Sequence, residues 1–173
     1  MCAPQKARGR SRGDFFNRLL VGLALAVAVA TARAEDKPAA DPQDKVGGTV
    51  FAQVCAACHQ PDGGGTPGLA PPLKGPHWQK LAAERTYLPR VIVFGLTGQI
   101  KVADAVYASG MQPQAQLNDE QAAAVASYVA GVLNASNLPA DWKPYSAAEI
   151  AAVRAAPHNS VDQRQLRKHA LGL

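Results

Sequence analysis

Cys55, Cys58 and His59 stand together in the run Cys55-Ala56-Ala57-Cys58-His59. Two thiols one helical turn apart can each bond one vinyl-derived carbon of a haem. The imidazole of the next residue is then carried over the porphyrin face, where it can ligate iron. Three other chemistries compete. A thioredoxin-like thiol pair belongs in a βαβ setting, and no such pattern surrounds this one. Zinc needs four converging ligands, and there is no second cysteine pair. A disulfide between residues three apart would leave His59 without a role. Covalent haem attachment is the expectation, with iron as the metal.

A metal-bound histidine donates its free ring N–H to an oxygen. After His59 the chain runs through a turn-rich loop, Gln60 to Gly68, to Pro71, whose carbonyl is the candidate acceptor. Glycines in that loop permit positive φ and close approach of backbone to a flat ligand. A phosphate cradle would need a strand, a loop and a helix with a following Lys-Ser/Thr, which is missing. Iron in an electron carrier takes two strong-field ligands. Met1 falls in an expected leader, so Met111 is the one methionine left, within Gly110-Met111-Gln112-Pro113. A lone methionine ordinarily fills a core, but a segment flanked by Gly and Pro is a poor place for filler. The rivals are His77, close to the proximal loop, and His158 and His169, in a polar tail. Met111 is expected to take the sixth position.

The leader changes the charge. Residues 1–34 carry a basic start (Lys6, Arg8, Arg10, Arg12, Arg18), an apolar run from Leu19 to Ala30 and the small-x-small pattern Ala32-Arg33-Ala34. That is the form of a secretory signal peptide. An uncleaved anchor would need about 20 apolar residues, so cleavage after Ala34 and a periplasmic location are expected, with no membrane span afterwards. Of the 18 Lys/Arg and 13 Asp/Glu, residues 1–34 hold six and one, so residues 35–173 carry twelve of each. The net charge of +5 would otherwise suggest nucleic acid or an anionic membrane. No nucleic-acid partner is expected.

The remaining chain is long enough for one domain. Residues 35–43 resemble a polar linker, 44–135 the haem domain, and 136–173 a C-terminal extension with one short helix and a basic tail. Asp44 is placed as a helix N-cap, with Val46, Val50, Phe51 and Val54 as one buried stripe. Gly47 and Gly48 weaken that helix; they mark either close contact with another element or local fraying. Short helices are expected from Trp78 to Glu84 and from Thr86, the second tolerating Pro89 in its first turn and stopping at Gly95. Ile100 to Tyr107 reads as a hairpin or an irregular loop. Asn118 with Gln121 makes a box-like helix start, and Val125, Tyr128, Val129 and Val132 give the next helix an amphipathic face to about Asn134. Ser146 with Glu149 opens a last helix, ended by Pro157.

With these residues placed, the chain from about Asp44 to Asn134 resembles a class I cytochrome c. The family pairs a glycine and an aromatic on its N-terminal helix with an aromatic on its C-terminal helix, and Gly47, Phe51 and Tyr128 match. Its proline after the haem histidine matches Pro71, twelve residues on, followed by Leu73. Its axial methionine precedes the C-terminal aromatic by seventeen residues, as Met111 precedes Tyr128. Val91 to Gly98, Tyr107, Met111 and Ser146 to Arg154 narrow the likeness to small periplasmic cytochromes that serve dehydrogenases or terminal oxidases. The resemblance implies an all-α fold, the small cytochrome c fold, with N- and C-terminal helices crossing around one covalently bound haem c. Two departures stand out: Gln112 where the family has proline, and Ala103-Asp104 where an Asn-Gly turn is usual.

Two function classes follow. The first is an electron carrier, not an enzyme, exchanging one electron with a redox protein partner through a haem edge near Ala56, Ala57, Gln112 and Pro113. The second is a haem enzyme or sensor with an open sixth position. The tail after Pro157 holds Arg164, Arg167, Lys168 and His169 against Asp162. It either steers docking to an acidic surface or is a solvated terminus without a role.

Overall fold

A computed structural model describes residues 41–159 and 161–173. The expected leader, 1–34, and residues 35–40 of the expected linker lie outside the described residues. Helix α1 begins at Pro42–Val50, passes through a π-helical turn at Phe51–Cys55 and ends on Ala56–His59. Its N-cap is Asp41, not Asp44: the Asp41 carboxylate accepts from the Gln43 amide and Pro42 fills the first helical position. Proline is suited to that position because its missing N–H would be unpaired there anyway. Asp44 instead sits in the first turn, where a carboxylate favours the helix dipole. Val50 and Phe51 are buried, Val54 is half-buried, but Val46 is 47 % exposed, so the expected stripe begins one turn later.

Helices α2 (Trp78–Ala83) and α3 (Tyr87–Phe94) follow, then a hairpin of β1 (Ile100–Val102) and β2 (Ala105–Tyr107). The strands pair antiparallel with Val102 opposite Ala105. That leaves a two-residue turn, Ala103-Asp104, with Ala103 at φ 51°, a conformation better suited to Asn or Gly. Helix α4 (Asp119–Ser127) continues through a second π turn, Tyr128–Val132. Asn118 and Gln121 form a full capping box at its start, as do Ser146 and Glu149 on α5 (Ala147–Ala155).

The core forms where α1 crosses α4. A β-carbon on Gly47 would collide with the Ala124 carbonyl and lie 2.8 Å from Tyr128 Cβ. Phe51 and Tyr128 rings meet beside it, centroids 5.3 Å apart. Close contact, not fraying, explains the helical glycine.

The extension differs from expectation. A further helix, α6 (Asp162–Leu171), follows α5. It buries Gln163 and Arg167, pairs Asp162 with Arg90 of α3 at 3.2 Å and accepts from Lys80 of α2 at the Leu171 carbonyl. The described residues belong to one compact unit that includes this extension. Among them, no helix is long and apolar enough to cross a membrane.

Candidate haem site

The site begins at the end of α1. The π turn hands the chain to Cys55, half-buried, and Cys58, exposed, while His59 is buried. Helix α1 then stops sharply. Gln60 takes φ 64°, ψ 155°, a region sparsely populated for residues other than glycine. Its side chain bonds Thr66, whose hydroxyl in turn donates to the Cys58 carbonyl at 2.8 Å.

The following loop folds back on the histidine. Gly65, at φ 77°, donates to the His59 carbonyl at 2.8 Å, and a β-carbon there would lie 2.6 Å from both the Ala70 oxygen and the Pro72 nitrogen. Only glycine admits that turn and that approach together. Leu73 donates to Gly63 at 2.8 Å and closes the loop. The Pro71 carbonyl thereby reaches 2.9 Å from His59 Nδ1. A carbonyl can only accept, so Nδ1 carries the proton and Nε2 keeps its lone pair. Burial lowers the pKa of His59, with the Pro71 bond opposing, so the ring is held neutral as a metal ligand requires.

Met111 lines the same crevice as His59. Its backbone pairs with Leu96 in an isolated antiparallel bridge, with bonds of 2.9 and 2.8 Å. Gly95, at φ 75°, makes the bridge possible, since a β-carbon there would collide with the Met111 carbonyl and lie 2.9 Å from the Pro113 nitrogen. Cys55, Cys58, His59, Pro71 and Met111 line one crevice whose empty space is about 1180 Å³, counting its open mouth. Of the rival histidines, His77 lines the same crevice. His158 is exposed and stacks on Phe94, ring centroids 3.5 Å apart, and His169 is exposed on α6.

The crevice suits a flat apolar cofactor with polar edges. Its walls include Leu88, Val91, Leu96 and Val102, while Trp78, 3 % exposed, presents an Nε1 with no hydrogen-bond partner. A buried indole N–H normally finds an acceptor, and a haem carboxylate is one. The thiols argue against the alternatives. Burial pushes Cys55 up to about 11, the reverse of a redox-active thiol. Cys55 and Cys58 are not joined in a disulfide, and no metal-holding cluster of three or more His, Cys, Asp or Glu occurs among the described residues.

Comparison with known proteins agrees. The Cytochrome c family model matches residues 45–132. The chain belongs to the cytochrome c family. It is 41 % identical over 111 residues to cytochrome c-552 of Thermus thermophilus, covering 63 % of this chain and 84 % of that one. A second cytochrome c-552 of the same species matches equally over 111 residues, with 74 % of its length covered. This protein is thus a class I, mono-haem cytochrome c with a covalent haem c and iron, and it acts in haem-based electron transfer.

Four residues that frame the site carried no signal of their own in the sequence. Asn134, fully buried, donates from Nδ2 to the Leu73 and Val129 carbonyls and accepts from the Gly75 amide, fastening the proximal loop to the end of α4. Trp78, Tyr87 and Arg167 line the crevice. An asparagine at a helix end reads as an ordinary stop, and an arginine in a basic tail reads as solvated.

Proposed function

We propose that this cytochrome is a one-electron carrier of the periplasm whose iron is held by His59 and Met111, with Cys55 and Cys58 forming the two thioethers. The haem, when bound, supplies the ferric–ferrous couple. His59 would present Nε2 to the metal, its ring orientation fixed by the proton donated to Pro71. The observation that carries the reading is the shared crevice: a buried, singly protonated histidine and a methionine anchored by the Leu96 bridge both line it. A thioether ligand favours the ferrous state and raises the potential, which suits a carrier on the oxidising side of a chain, delivering to or from a dehydrogenase or terminal oxidase. Ala57, Gln112 and Pro113 are exposed, and Gln112 lines the crevice; together they would form the contact through which the electron passes.

A ferric spectrum tests the ligand set. Low-spin iron with the weak near-infrared sulfur-to-iron band is expected. High-spin iron would favour the open-site enzyme or sensor, and low-spin iron without that band would favour His77. Export is checked by intact mass, with Glu35 expected as the first residue of the periplasmic protein.

A further inference from the structure

Arg167 is out of place for a basic tail. It is 6 % exposed and lines the crevice. Its guanidinium donates to the Tyr87 hydroxyl at 3.2 Å and the Lys101 carbonyl at 3.3 Å, both neutral and both long. None of the ion pairs among the described residues involves it. A guanidinium carries five donors and a permanent charge, and burying such a charge without a counter-ion is strongly unfavourable. The facing groups do not supply one. His77 has its pKa lowered by burial and then by Arg167 itself, so it stays neutral, and Lys101 is a cation. The unpartnered Trp78 indole lines the same crevice. Together these are a buried charge without a counter-ion and an indole N–H without an acceptor, in a site built for a cofactor that carries two carboxylates.

We propose that Arg167 is the counter-ion of a haem propionate, so that α6 completes the haem site from outside the family-matched region. The matched residues end at 132, and Arg167 arrives on the extension. Gly98 lets α6 lie close: a β-carbon there would sit 2.8 Å from the Arg164 guanidinium carbon. Arg167 is a positioning residue and an electrostatic one. A fixed cation beside the propionate offsets its negative charge, which would otherwise favour ferric iron. The proposal rests on covalent haem in this crevice and is independent of which residue takes the sixth position.

The test uses full-length holoprotein. Arg167→Gln should lower the reduction potential measured by voltammetry, while Arg167→Lys should stay nearer the parent value. A fall that is equal in both variants, or absent in the glutamine variant, overturns the proposal. Should Arg167→Gln not accumulate with haem, the unaltered ferrous protein decides. Its NMR spectrum should show nuclear Overhauser effects between the Arg167 guanidinium protons and a propionate methylene, and their absence overturns the proposal. The ferric spectrum separates this from the ligand reading, because loss of the propionate contact leaves the low-spin signature in place.

Discussion

Gly47 rests directly on the backbone of Ala124, with no room for a methyl group between α1 and α4. The obstacle is a main-chain carbonyl, so it cannot be relieved by a side-chain rotation. Gly47→Ala gains helix propensity of about 1 kcal/mol, but overpacking against backbone costs about 3 kcal/mol. The net expectation is a loss of about 2 kcal/mol, read as a lower denaturation midpoint of the ferric holoprotein. Equal or greater stability would mean the helices can slide apart freely.

Met111→Ala should remove the near-infrared sulfur band, turn ferric iron toward high spin and lower the potential. Cyanide should then bind without first displacing a protein ligand. Because the Leu96 bridge is made by backbone atoms, the loop itself should survive. An unchanged spectrum would redirect attention to His77.

Asn134→Ala removes four side-chain hydrogen bonds, the one from Asn137 long at 3.4 Å, and strands the Leu73 carbonyl and Gly75 amide. Each net bond contributes about 1 kcal/mol and each buried orphan adds to the cost, so a loss of about 3 kcal/mol is expected in chemical denaturation. The proximal loop should also exchange its amide protons faster than α3 does. A loss below about 1 kcal/mol would show that the loop is held by other contacts.

Glu149 gives a pH dependence. Its hydrogen bonds from Arg85, at 2.6 and 3.0 Å, hold its carboxyl down at about 2, against an ordinary 4.5. A depressed carboxylate stabilises the fold above its ordinary value, and the contribution is lost as pH falls toward 2. The two side chains are 35 % and 37 % exposed, so solvent screening reduces the contribution to about 1 kcal/mol. Glu149→Gln should therefore be less stable at pH 7 and converge with the parent near pH 2. Parallel curves across that window would dismiss the pair.

Much of this was legible because local chemistry dictated it. The haem motif, the boxes at Asn118 and Ser146, and the Gly95 stop each depend on a few neighbouring residues. The crossing of Gly47, Phe51 and Tyr128 was readable only through family likeness, since spacing alone left fraying open. The pair Asp41-Pro42 held the true helix start, and Asp44 drew attention from it by being nearer the apolar residues. Helix α6 escaped notice for a different reason. Its sequence, Asp162 to Leu171, is strongly polar, and the residues it buries include a glutamine and an arginine. Leu166, Ala170 and Leu171 do pack against the core, but a helix whose most deeply buried residues are polar gives hydrophobic periodicity little to report.

The π turn at Phe51–Cys55 gives α1 two phases. An α-helix advances about 100° per residue, and a π turn carries one residue more than an α turn. The face that crosses α4, set by Gly47 and Phe51, is thus rotated independently of the face that carries Cys55, Cys58 and His59. One helix can meet its partner helix and its cofactor at angles that an unbroken 3.6-residue repeat would tie together.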